Sequence, residues 1–251
     1  VLPHQPLDPQ RLEQSGAVKI PQGSPASREA AVNVMRMIDA VAQTVIDNAE
    51  EFGRIDAVAG DGDHGIGMER GVVAAREAAK KTLEQGAGAG TVLQFAADAW
   101  ADEAGGTSGA IWGVILNTLG ITIGNDEKPD AARVALAIAQ ANAGVMHFGK
   151  AKPGDKTLVD VLLPFSQALS AAADEGLSLA DAWRKSEQVA RQSAQDTAQL
   201  VPKIGRARPL AERSLGTPDA GAISLAMIIA AVGACLADNT EIAPSQENVC
   251  P

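Results

Sequence analysis

At 251 residues the chain has room for one large domain or two small ones, and 46% hydrophobic content is ample for a sizeable core. A formal net charge of −10 excludes a nucleic-acid backbone as partner, which would need clustered Lys and Arg. Aromatics are only 3% with no Tyr, so packing falls to Ala, Leu, Val and Ile, a composition that favours closely approaching helices over a β-sandwich.

Residues 1–26 are rich in Pro and Gln, lack an apolar h-region and do not begin with Met. They read as a linker or extended arm rather than a signal peptide, and the missing Met suggests a chain cut from a longer one. From Ser27 to Phe52, Val34, Met37, Ile38, Val41 and Val45 follow helical spacing, with Ser27 as N-cap.

That helix leads into Asp56-Ala57-Val58-Ala59-Gly60-Asp61-Gly62-Asp63-His64-Gly65, three carboxylates within eight residues. Such a cluster repels itself unless a cation joins it, and carboxylate oxygens are hard ligands suited to Mg²⁺, whose shell phosphate and water complete. Glycines let the backbone approach a bulky anion, so the run reads as a loop for metal and phosphate; the alternative is an acidic, solvated turn. Counting from Asp61 puts Ile66 and Val72 where an EF-hand needs Gly and Glu, and no strand leads in as a dinucleotide fingerprint requires.

Further helices are predicted over residues 65–85, 91–103, 108–120, 130–142, 157–173, 178–200 and 219–237, about eight in all. Pro164 kinks the sixth unless it falls near its start. The 18 residues from Ala220 to Ala237 carry no charge, yet they are rich in Ala and Gly and flanked by Asp219 and Asp238 without a cationic anchor. They read as a central buried helix, not a membrane span. No strand alternation appears, so the expected fold is an all-α bundle or barrel of one domain. Cys235 and Cys250 match neither a zinc spacing nor a disulfide framework, which points to a reducing, cytoplasmic setting.

Glycine concentrates at helix junctions: around Asp61 to Gly65, at Gly105-Gly106-Thr107-Ser108-Gly109, from Gly149 to Thr157, and at Gly216 to Gly221. A helix start presents unpaired N–H groups and a positive dipole end, so several converging on one rim would form an anion pocket to which the aspartates supply metal.

These junctions, in this order, resemble the L subunit or L domain of the dihydroxyacetone kinases. The resemblance spans about residues 27–238, leaving 239–251 as a tail, and rests on Asp56-x4-Asp61-x-Asp63-His64-Gly65, on Gly105 to Gly109, on Gly154-Asp155-Lys156-Thr157, on Gly205-Arg206-Ala207, on Glu212 to Gly216 and on Asp219-Ala220-Gly221. It implies a barrel of eight antiparallel helices binding ATP or ADP at one rim through two Mg²⁺ ions. By the resemblance Asp56, Asp61 and Asp63 hold the metal, and His64, Gly65, Ile66 and Gly67 line the phosphates, with Gly67 standing where the family often has Asn. Thr107 and Ser108 offer donors to the phosphates or act as helix N-caps. Gly149 and Leu158 pack around base and ribose, the family often having Met at the latter position. Arg206 contacts the nucleotide or forms a surface ion pair. Asp219, Ala220 and Gly221 approach the ribose or base, Ala220 replacing a frequent Pro, while Asp219 doubles as N-cap.

His64 has no catalytic role by this resemblance, and His4 and His147 lie outside any motif, in the arm and a loop. The family places the ketose on a separate K subunit or domain. The expected activity is therefore phosphoryl transfer to dihydroxyacetone or a relative such as a tetrulose, with no catalytic residue on this chain. Two forms share such a site: a domain fused behind K that uses exchangeable ATP, which the arm favours, and a free subunit whose ADP coenzyme a phosphotransferase-system protein rephosphorylates. A non-catalytic docking module is the alternative of another class. No nucleic acid and no membrane are expected as partners.

Overall fold

The computed structural model describes residues 19–204 and 212–241. Eight α-helices follow one another there: α1 (Pro25–Asp56), α2 (His64–Glu84), α3 (Ala89–Ala104), α4 (Gly106–Ile123), α5 (Ala131–Gly149), α6 (Val159–Asp174), α7 (Leu179–Asp196) and α8 (Ala220–Glu241), with a 3-10 turn at Thr197–Gln199. Among the described residues there is no strand, as the absence of alternation predicts.

Each helix packs chiefly on its neighbours in sequence, and α8 returns to α1, which closes the ring into a barrel. The close approach rests on small side chains: Ala31, Ala42, Ala79, Ala96, Ala137 and Ala222 are fully buried. Larger groups fill the interior between them, including Phe52, Met68 and Leu169, and Phe165 meets Trp183 edge-on with centroids 5.0 Å apart. An apolar cavity of about 250 Å³ remains inside, lined by residues of every helix except α2.

Up-and-down winding puts the ends of α1, α3, α5 and α7 and the starts of α2, α4, α6 and α8 at one rim. The four glycine-rich junctions singled out in the sequence lie there, each preceding an even-numbered helix, while Gly86, Gly124 and Gly176 turn the chain at the opposite rim.

Several boundaries differ from the sequence expectation. The N-cap of α1 is Ser24, whose Oγ accepts from the Ser27 N–H at 3.0 Å; Ser27 is buried in the first turn and its hydroxyl accepts instead from Ala89 N–H at the start of α3. Residues at the end of the expected arm are tied down, Gly23 N–H donating to Gly86 C=O and Ser24 N–H to Asn125 C=O. Helix α5 runs on to Gly149, so His147 is helical rather than in a loop, and Lys150 in the left-handed conformation ends it. Pro164 lies in the second turn of α6, inside the helix.

Among the described residues two helices are long and apolar enough to cross a membrane, α4 and α8. Helix α8 packs between α1 and α7 as one stave of the ring, half-buried rather than the central buried helix expected, because the ring leaves every helix one outer face. Helix α4 owes its apolar character to the cavity, toward which Trp112, Ile115, Leu116, Leu119 and Ile123 contribute.

Candidate functional site

The rim is organised around Asp56, the last residue of α1. One carboxylate oxygen accepts the Gly62 N–H at 2.9 Å and its carbonyl accepts the Gly60 N–H at 2.6 Å, folding the loop back on the helix end. Asp61 and Asp63 are thereby brought beside it: an oxygen from each of the three carboxylates lies within 4.8 Å of the others. Asp56 is half-buried and the other two are exposed. Three hard oxygen donors converging at this range, open on one side, fit a magnesium ion that shares its shell with phosphate and water.

Helix α2 starts at His64 with Asp63 in the N-cap position, whose side chain makes no cap hydrogen bond. Gly65 is buried against α1, and a Cβ there would overlap the Ala49 carbonyl oxygen, so only glycine lets the α2 start abut that helix. Ile66 is exposed, and Gly67 faces the Ala104 carbonyl with room for a side chain.

The second uncapped start is that of α4. Gly105 (φ 63°, ψ 179°) adopts a backbone conformation open essentially to glycine alone, and no side chain caps the helix. Thr107 and Ser108 are therefore not N-caps: they sit exposed inside the first turn of α4, whose N–H groups face outward from the helix end.

Of the other two helix starts, that of α8 is closed by its N-cap side chain, whereas the N-cap of α6, Leu158, makes no cap bond and Thr157 Oγ1 accepts the Val159 N–H at 3.2 Å. Asp219 caps α8, its Oδ1 accepting the Ala222 N–H at 2.8 Å, and its own N–H donates to Thr197 Oγ1 at 2.9 Å. Burial pushes its carboxyl up to about 6, against the opposing pull of the Ala222 N–H and Lys156, while the Asp160 and Asp56 charges add to the rise. Ahead of α6, Asp160 accepts the N–H groups of Gly154 and, at 2.9 Å, Thr157. Leu158 is half-buried at the N-cap position of α6 and would meet a Cβ on Gly221 at 3.7 Å, so these two expected base- or ribose-side residues adjoin. Ala220 is buried. Gly149 ends α5, where a Cβ would meet Ile111 of α4 at 3.8 Å. Arg206 lies outside the described residues.

The His64 ring joins the two sides of the rim. Its Nε2 lies 3.0 Å from Ser224 Oγ, it hydrogen-bonds the Ala220 backbone, and its ring is 6.2 Å from that of Phe52. Burial pushes the imidazole below its ordinary value, outweighing the Asp56 and Asp63 charges and the Ala220 contact, which favours the neutral ring. Tied in this way to α8, it fixes the start of α2 relative to α8.

Ser224, Thr197, Asp160 and Lys156 were not singled out by the sequence. A lone serine within an apolar run was a signal for Ser224, and Lys156 sits inside a quoted motif; Thr197 has no local signal, because its partner is 22 residues away.

Over residues 58–234 the chain matches the model of the DAK2 domain, and it belongs to that family. It is 61% identical over 91% of its length to an L-erythrulose kinase of Pectobacterium atrosepticum and 50% identical over 83% to a D-erythrulose kinase of Mycolicibacterium smegmatis. The chain spans only 39% and 36% of those relatives. It is 29% identical, over 68% of its length and 80% of the relative, to the ADP-binding subunit of the PEP-dependent dihydroxyacetone kinase of Escherichia coli. The dihydroxyacetone kinase of C. freundii, solved in complex with AMP-PNP and Mg²⁺, superposes with a TM-score of 0.63 at 21% identity over 88% of this chain and 36% of that one, a likeness of fold.

Proposed function

We propose that this chain is the nucleotide-binding L domain, residues 27–238, of an ATP-dependent kinase for a small ketose held by a separate K domain or subunit in a cytoplasmic setting. The observation that carries this reading is the convergence of three carboxylates beside the glycine-marked starts of α2 and α4. Phosphoryl transfer asks a protein for positioning and charge neutralisation more than for covalent participation. Asp56, Asp61 and Asp63 would hold magnesium, two ions in all, which when bound neutralises the nucleotide phosphates. The N–H groups at the starts of α2, from His64 to Gly67, and α4, at Thr107 and Ser108, would receive the phosphate oxygens. Leu158, Gly149, Arg206, Ala220 and Gly221 would enclose base and ribose, with Asp219 holding the start of α8.

The similarity to erythrulose kinases favours a four-carbon ketose over dihydroxyacetone as the acceptor; the alternative to exchangeable ATP is an ADP coenzyme served by a phosphotransferase-system protein. The test mixes the chain with its cognate K domain, erythrulose or dihydroxyacetone, and ATP with Mg²⁺. Multiple turnovers support the reading; a single turnover without a phosphorelay partner points to the coenzyme form. Absence of Mg²⁺-dependent nucleotide binding would overturn the assignment and leave a docking module.

A further inference from the structure

Lys156 is 5% exposed and holds φ at 63°, a left-handed conformation that lysine rarely adopts. Its ammonium has three donors, and three oxygens take them: the Leu200 carbonyl at 3.1 Å, the Ser214 carbonyl at 2.7 Å and the Ser214 hydroxyl at 3.2 Å. An amine so saturated is not aimed at a phosphate. It clasps both ends of the connection between the 3-10 turn and α8. The same junction is stitched by Lys203 N–H to the Asp155 carbonyl, by Gly216 N–H to the Ala198 carbonyl and by Asp219 N–H to Thr197. Burial lowers the affinity of Lys156 for its proton, and the Asp219 charge offsets part of that.

We infer that Lys156 is a positioning residue for nucleotide recognition, holding the Ser214–Gly221 segment against Leu158 so that the base and ribose end of the site is preformed. This rests on the nucleotide-site reading above. The phosphate end is built on α1, α2 and α4, linked to α8 through the His64–Ser224 contact, and Lys156 bonds none of these residues. The inference therefore separates two halves of one ligand.

The experiment uses isothermal titration of the full 251-residue chain with two probes, ADP with Mg²⁺ and inorganic pyrophosphate with Mg²⁺. Pyrophosphate reports the phosphate end alone. Lys156→Met keeps the aliphatic stem and removes the charge, and is expected to weaken ADP binding at least tenfold while changing pyrophosphate binding less than twofold. Ser214→Ala, which leaves the lysine and two of its acceptors, is a milder variant expected to weaken ADP alone by about threefold; it serves if Lys156→Met does not fold. Equal loss for both probes, or unchanged ADP affinity in either folded variant, overturns the inference. Failure of the wild-type chain to bind either probe would instead overturn the nucleotide-site reading itself.

Discussion

At the scale of single residues the rim separates groups that would hold a ligand from groups that hold other residues. Asp61 is exposed among the three converging carboxylates, so Asp61→Ala should abolish Mg²⁺-dependent ADP binding in calorimetry while the helical circular dichroism stays near wild type. Gly65 is the opposite case. A methyl group there would meet the Ala49 carbonyl, and Gly65→Ala should lower stability by about 1–3 kcal/mol in urea unfolding as α2 is pushed off α1. Asp219 supplies a pH signature. Its folded value of about 6 lies above the 3.8 of an ordinary aspartate, so the folded chain holds the extra proton between them. Stability from this group is fully present below pH 3.8 and is lost as pH rises through about 6, a change on the order of 3 kcal/mol at most. Asp219→Asn keeps the capping oxygen, and its stability measured against wild type from pH 4 to 7 should lack this fall.

At the scale of elements, the four helix starts at the rim differ in how they are capped. The N-cap residues of α2, α4 and α6 supply no side-chain cap, whereas Asp219 closes α8; ahead of α6, Asp160 and Thr157 tie the turn instead. Hydrogen exchange with ADP and Mg²⁺ should therefore slow most at residues 61–67 and 106–109, and less at the first turn of α8, which is already paired. Comparable protection at all of these starts would mean that capping does not decide where phosphate goes. The helices themselves were legible from apolar spacing, and their interiors lie where expected. Their ends were less so, because the deciding partner often sits elsewhere in the chain: Ser27 looked like a cap for its own helix, yet its hydroxyl serves Ala89, 62 residues on. Gly149 looked like part of a junction, although α5 ends only where Lys150 turns left-handed.

For the whole molecule, the proposed site would couple binding to stability, because a ligand there would join elements from both sides of the ring. ADP with Mg²⁺ should raise the melting temperature by more than the sum of the two alone, since phosphate without metal faces three carboxylates and metal without phosphate has an incomplete shell. Equal stabilisation by ADP in EDTA would argue against the metal bridge. The all-helical barrel, its single core and its glycine-marked rim were readable from the chain alone, since the 3.6-residue apolar period, the wealth of Ala and the Gly-rich junctions are local properties that a helix obeys wherever it packs. The convergence of Asp56, Asp61 and Asp63 was equally readable, being confined to one short loop. What only the tertiary structure decided is which side chains serve the ligand side of the rim and which brace it: His64 toward Ser224, Asp219 beneath Thr197, Lys156 between Leu200 and Ser214. These pairings span from 22 to 160 residues, and a hydrogen bond between distant segments leaves no periodicity in either, because it exists only once the barrel has closed.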